Sequence, residues 1–457
     1  MAYQWYKNKA GQYLSEQINQ RGDYQMRKFM ALSLSVVLLL SLASVALAQE
    51  GVTINFWHTG GSGALAEAVT YATTQFNDTI GKEKGITVVD TYIGGYDELT
   101  SKIMLSVQAG EQPQVAILAN TMVGWFMEDG VLADMMPYAE ADGFDVSNIM
   151  DPFMLTMGNR DGELHSVPFF RSTPILYYNK GMADAAGLEA PKTIEELEAF
   201  GKALHKVSDS GETEVWGFQI LKDFGYYNAA NLWQLGSSMF TEDGSKSPAL
   251  EDGTMLKVLS DWRRWVDEGW CRSFDSTEQG AKMQELFFQG KLASFWMSTG
   301  GLRNVIKGCE ENGVELGVTT FTTYDPEKPI SMIGGGNVGI IGTGNSDEQI
   351  AASWEFIKFL MSDELVANTS ITTGYVPVTK SVAEFPRLVE YWASNPMAKV
   401  AYDQLGDAIP QEFPYVPYLQ DFTIVCWDAS SLLIQDKSIN AEEAVEYIKT
   451  NTAALFQ

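Results

Sequence analysis

Val167-Pro168-Phe169-Phe170-Arg171-Ser172-Thr173-Pro174-Ile175-Leu176-Tyr177-Tyr178-Asn179-Lys180 is an apolar run broken near its middle by Arg171 to Pro174. Valine, isoleucine and the aromatics favour a pleated strand, while Pro174 removes a backbone donor and excludes helix locally. Polar groups inside an otherwise buried strand need partners, and a bound ligand is one such partner. The simpler alternative is a core strand with an edge proline.

Outward from this stretch, strand-like and helix-like segments alternate, as α/β domains require. Thr53–Trp57, Ile86–Tyr92 and Val115–Leu118 read as strands. Between them, Leu65, Val69, Ala72 and Phe76 recur at helical spacing, and Glu98–Gln108 forms a second helix. Ligands of such sheets sit beyond the carboxyl ends of strands, where His58, Tyr96 and Asn120 fall. Downstream, Thr193 with Glu196 and Ser346 with Gln349 open capped helices. Gly290–Trp296 and Ser331–Ile341 are further strands, and Gly374–Val378 reads as a second polar-aromatic crossing. Two returns across one cleft imply two discontinuous lobes, residues 49–168 plus 338–373 and residues 169–337 plus 374–457.

The amino-terminal segment has a different task. Arg27-Lys28 precede an apolar run, Phe29 to Val45, that ends in Ala46-Leu47-Ala48. A basic start, a short apolar core and an A-x-A site predict a cleaved secretory leader over residues 1–48 and a periplasmic product. The run is shorter than the roughly 20 apolar residues that span a bilayer. The formal net charge is −28, and the leader holds five of the basic residues against two of the acidic ones. Such an acidic surface repels phosphate backbones and anionic lipid, so neither nucleic acid nor a membrane surface is expected as a partner. Cys271, Cys309 and Cys426 lack C-x-x-C spacing, and an odd count favours buried free thiols over a Cys271–Cys309 bridge.

Gly334-x-Gly336-x-x-Gly339 matches a dinucleotide fingerprint only on paper. That motif needs a helix starting at the glycines, whereas here they lie in a strand-like segment and the helix begins near Ser346. With His58, His165 and His205 as the only histidines, no H-E-x-x-H and no G-x-S-x-G, neither a metal centre, a cofactor nor an enzyme is expected. Aromatics interleaved with small polar residues are the positive signal: Phe56-Trp57-His58, Gly94-Gly95-Tyr96, Gly225-Tyr226-Tyr227-Asn228, Phe295-Trp296, Gly374-Tyr375 and Pro414-Tyr415-Val416-Pro417-Tyr418. Aromatic faces cover the C–H face of a sugar ring, and Asn, Ser and backbone groups satisfy its hydroxyls.

Several motifs in this order resemble the extracellular solute-binding proteins of ABC importers, family 1, and within it the glycerol-3-phosphate-binding receptors and their sugar-binding relatives. They are Phe56-Trp57-His58, Tyr92-x-Gly94-x-Tyr96, Pro168-Phe169-x-x-Ser172-Thr173-Pro174-x-Leu176-Tyr177-Tyr178-Asn179-Lys180, Ile333-Gly334-Gly335 and Thr373-Gly374-Tyr375-x-Pro377-x-Thr379-Lys380. The resemblance implies two α/β lobes that close by a hinge over ligand, with the opening stretch as the crossing strand and a membrane permease as partner. It places Tyr96, Ser172, Ser298, Gly335 and Tyr375 on the ligand, with Tyr226 where the relatives have an aromatic. Two departures matter. Asn120 stands where the relatives carry a glutamate, and no cation occupies Val416 to Tyr418, where their phosphate-binding arginine should fall. A buried phosphate without a countercharge is too unfavourable.

The expectation is therefore a monomeric receptor for a neutral mono- or oligosaccharide. Trp57, Tyr96, Tyr226, Trp296 and Tyr375 form its walls, and His58, Asn120, Ser172, Ser298, Asn337 and Arg171 fix hydroxyls. Gly335, Gly336, Tyr415 and Tyr418 complete the site. The alternative is an anionic polyol such as glycerol-3-phosphate or a glycerophosphodiester, with Arg171 as a relocated anion site or, more simply, part of a hinge salt bridge.

Overall fold

A computed structural model describes residues 51–154, 157, 162–221, 224–241, 243–273, 279–410, 416 and 418–456. The expected leader and Tyr415 lie outside the described residues.

The fold is a two-lobe α/β arrangement built on two principal sheets. The first begins with β1 (Val52–His58), α1 (Gly63–Phe76), β2 (Ile86–Tyr92), α2 (Tyr96–Ala109) and β3 (Val115–Ala119). β1 pairs in parallel with β2 and β3, a geometry that requires helical crossovers. α1 supplies one, burying Ala68, Val69, Ala72 and Phe76 at helical spacing. Phe76 meets Phe356 edge to face at 5.2 Å, tying the crossover to the helix Asp347–Leu360.

The opening stretch is two strands rather than one. β4 (Val167–Ser172) belongs to the first sheet, whereas β5 (Pro174–Asn179) lies in the second. The second sheet adds β6 (Phe218–Gln219), β7 (Cys271–Arg272), β8 (Ser294–Ser298) and β9 (Leu316–Thr320) in the order β9-β5-β8-β6-β7. β10 (Ser331–Ile340) then returns, pairing antiparallel with both β3 and β4 and, at its start, parallel with β11 (Ala408–Pro410).

Thr173 sits at the switch between sheets and is fully buried. Its hydroxyl lies 2.6 Å from Ser331 Oγ and accepts from Gln404 Nε2 at 2.6 Å. Gln404 Nε2 also reaches the Pro174 carbonyl at 2.8 Å. Part of the polar break is thus satisfied inside the protein. β10 carries the three glycines within its ladder and bulges between Gly335 and Asn337. Gly335 has φ +97°, and a Cβ there would fall 2.0 Å from the Phe170 carbonyl oxygen, so only glycine fits. Gly374, with φ +93°, caps the helix Asp363–Thr373, and the following chain is tied to β4 by Val376 N–H donating to the Arg171 carbonyl at 3.0 Å.

Aromatic side chains fill the second lobe's core: Trp262, Trp265 and Phe218 pack with Trp296 and Phe321. Cys271, Cys309 and Cys426 are buried, and none forms a disulfide among the described residues. Burial pushes the Cys309 thiol up to about 12, so it is inert as a nucleophile near neutrality. Among the described residues no helix is long and apolar enough to cross a membrane.

Candidate functional site

β1 and β3 are parallel, while β10 runs antiparallel to β3. The carboxyl end of β3, the end of β4 and the glycine-rich part of β10 consequently meet at one edge of the first sheet. A cleft of about 660 Å³ opens there, within the range of ligand sites.

Its inner part is lined by Tyr96, Asn120, Ser172, Tyr226, Ser298, Gly335 and Tyr375. Each is positioned by the backbone behind it. Glycine at 94 and 95 lets the chain turn into α2, whose first residue is Tyr96; Gly94 takes φ +149° and the Glu98 carboxylate accepts from the Gly95 amide. A Cβ on Gly336 would sit 2.7 Å from the Tyr96 hydroxyl, so that glycine makes room for the ring's tip. Tyr226 packs over Gly334, where a Cβ would come within 2.2 Å of its ring, and its hydroxyl lies 3.0 Å from Ser172 Oγ. Tyr375 lies against Gly300 and stacks on Phe170 with centroids 5.1 Å apart and planes 9° from parallel. Ser298 ends β8, and its Oγ accepts from the Gly300 amide at 3.2 Å.

Burial raises the Tyr96 hydroxyl well above its ordinary range and pushes Tyr375 up to about 12, with the Arg171 charge opposing both. Both phenols therefore stay protonated and can donate to ligand oxygens.

The outer part was not foreseen from sequence. Asp97, Thr100, Ser101 and Met104 come from one face of α2, and Gln420, Thr423, Ile424 and Trp427 from one face of the helix Leu419–Ser430. Both sets follow i, i+3, i+4, i+7 spacing, a signal present in the sequence but masked by mixed polarity. Trp125 and Tyr227 complete the aromatic lining. Trp427 Nε1 is buried without a hydrogen-bond partner, leaving a donor available at this wall.

Several expected contacts are corrected by their placement. Trp296 is in the second core, with Nε1 donating to Thr322 Oγ1 at 3.0 Å, because it sits inside β8, two residues short of the strand end where Ser298 reaches the cleft. Tyr418 packs between Phe240 and Phe456, and its hydroxyl donates to the Gly244 carbonyl. Trp57 lies under the Lys102 ammonium, 5.0 Å from the ring centre, outside the cleft lining. His58 is buried beside Asp90, Gly336 backs Tyr96 without lining the cleft, and Asn337 is buried, donating to Ser166 Oγ at 2.9 Å.

Arg171 is the other surprise. It is fully buried and forms no salt bridge among the described residues. Its Nη1 donates to Asn337 Oδ1 at 3.2 Å, and Nε and Nη2 have no partner among the described residues. No group of His, Cys, Asp and Glu among the described residues is arranged to hold a metal ion.

A family model described as bacterial extracellular solute-binding protein matches residues 72–400. The sn-glycerol-3-phosphate-binding periplasmic protein UgpB of Brucella melitensis is 26% identical over 389 residues, covering 83% of this chain and 86% of its own. Two solved structures share the fold. UgpB from Mycobacterium tuberculosis, in complex with glycerophosphocholine, superposes with a TM-score of 0.77 at 22% identity, over 88% of this chain and 98% of its own. The GacH receptor of Streptomyces glaucescens, solved unliganded and with acarbose, gives 0.74 at 20% identity, over 89% and 98%.

Proposed function

The chain belongs to the bacterial extracellular solute-binding proteins, the ligand-capturing components of ABC importers, and on that premise we propose that it is a periplasmic, monomeric receptor for a saccharide. One observation carries the choice of ligand. The cleft wall is made of tyrosine and tryptophan faces interleaved with hydroxyl and amide groups, and no Lys, Arg or His lines it among the described residues. That surface matches a neutral, hydroxyl-rich mono- or oligosaccharide body: rings cover C–H faces, and Asn120, Ser172, Ser298 and Gln420 meet hydroxyls. A second reading, an anionic polyol, is favoured by the relatives' naming as sn-glycerol-3-phosphate-binding proteins.

The change of sheet at Thr173, just beyond the expected break at 168/169, supports a division into two lobes near that point, with β10 providing the return. Closure of the two lobes buries the ligand, excludes water and creates the surface offered to the permease.

The test is a thermal-shift screen of wild type, Tyr96→Ala and Tyr375→Ala against mono- and oligosaccharides, glycerol-3-phosphate and glycerophosphocholine. A bound ligand raises the melting temperature by mass action. Stabilisation of wild type by at least one saccharide, lost in both variants at unchanged ligand-free melting temperature, is the expected result. Stabilisation by glycerophosphocholine or glycerol-3-phosphate alone would move the assignment to the second reading.

A further inference from the structure

Arg171 places a formal charge where the saccharide reading does not require one. It follows Phe170, on which Tyr375 stacks, and precedes Ser172, which lines the cleft. Across the ladder it pairs with Gly335, also on the cleft, and its carbonyl binds the amide that follows Tyr375. The Arg171 backbone thus runs along the cleft floor, and its guanidinium is buried with the Phe153 ring 5.5 Å from Cζ on one side.

A buried cation normally keeps a carboxylate beside it. Here no carboxylate partners it among the described residues, and it lies near enough to act on the hydroxyls of Tyr96 and Tyr375, neutral groups that line the cleft. Burial lowers its pKa only to about 10, so it remains charged at neutral pH. Asp97 and Asp421 also border the cleft, but both are exposed, where water and salt screen them. The buried guanidinium is screened far less, so the floor is positive while the rim is weakly negative.

Resting on the saccharide reading, we propose that the cleft selects a saccharide bearing one anionic group, a carboxylate or a phosphate, which the hydroxyls of Tyr96, Tyr226 and Tyr375 hold while the Arg171 guanidinium supplies the countercharge. Hydrogen bonds to an ionised acceptor are shorter and stronger than neutral ones, and the protonated phenols are suited to donate them. Arg171 acts here as a positioning and charge-selecting residue without needing to touch the ligand.

The experiment is calorimetric titration of the mature protein with matched pairs: neutral aldoses and disaccharides, the corresponding uronates, and the corresponding sugar phosphates. Wild type is expected to bind an acidic member at least tenfold more tightly than its neutral partner, about 1.4 kcal/mol. Arg171→Gln should collapse that ratio towards one, and Arg171→Lys should keep most of it. The uronate and phosphate arms show which acid is preferred. Equal binding of acidic and neutral partners by wild type overturns the proposal while leaving the saccharide reading intact, and it needs no variant to fold. An undiminished ratio in a folded Arg171→Gln protein also overturns it. Binding of glycerol-3-phosphate with no sugar of any charge would instead overturn the saccharide reading.

Discussion

Three consecutive buried residues, at the end of β4 and the switch to β5, meet three different fates. Ser172 turns to the cleft against Tyr226, Thr173 is bonded to Ser331 and Gln404, and Arg171 has two nitrogens without partners among the described residues. The sequence shows that this break needs partners, because polar groups in a buried strand are rarely left unsatisfied. Which partner each receives depends on Ser331 and Gln404, far along the chain, and no local pattern reports them. His58 illustrates the same limit: expected just past a strand end, it is instead the last residue of β1 and faces Asp90, not ligand. Its Nδ1 accepts from the Gly60 amide at 3.1 Å, and Nε2 lies 3.5 Å from Asp90 Oδ2. Burial lowers its pKa, with Asp90 opposing. Because the folded value is below the unfolded one, the unfolded chain takes up the proton first. Stability from this site is full above about pH 6.5 and declines as pH falls below it, until the folded group also titrates. We predict that His58→Asn flattens the fall in urea midpoint across that window. A variant with the wild-type slope would show that other groups carry the pH dependence.

At the scale of elements, most of the fold was legible and the outer half of the site was not. Ile86–Tyr92 is a strand with the expected bounds, and Thr193 and Ser346 cap helices through side chains that accept from the third amide. These signals are local: alternation, caps and glycines. The faces of α2 and of Leu419–Ser430 that line the cleft follow helical spacing too, but a face that binds ligand mixes polar and apolar residues and does not stand out as a core stripe would. Trp296 was misplaced for the converse reason, since an aromatic beside serine reads alike in a cleft and in a core. The two tryptophans give a discriminating pair. Trp427→Ala is expected to change unfolding free energy by less than about 1 kcal/mol, being half-buried, and to weaken saccharide binding. Trp296→Ala empties a packed core site and should lose about 3–5 kcal/mol, while ligand affinity of the remaining folded fraction is preserved. Urea titration paired with calorimetry separates them. Equal losses of stability in both would place Trp427 in the core.

For the whole molecule, the question is whether two lobes behave as two folding units. Their connections argue against it. β10 starts beside β11 and ends between β3 and β4, so a single strand is committed to pairings along its full length. Gln404 bonds Thr173, Pro174 and Ser331 through one nitrogen, and its Oε1 accepts from the Phe321 amide at 3.1 Å. The crossing is thus a hydrogen-bonded knot shared by both sheets, and opening one lobe would strand buried donors in the other. Hinge bending tolerates this because it moves lobes as bodies and leaves the knot intact. Urea unfolding should therefore give coincident transitions by far-UV circular dichroism and tryptophan fluorescence, the mark of one cooperative unit. Gln404→Ala removes the shared donor and leaves several groups unsatisfied, so its midpoint should fall by the equivalent of about 1–3 kcal/mol. A saturating ligand, at about a hundredfold its Kd, should move the whole wild-type transition by about 2.7 kcal/mol without splitting it. Two separated transitions in the wild-type protein would show that each lobe folds alone and that the knot at Thr173 joins them without coupling them.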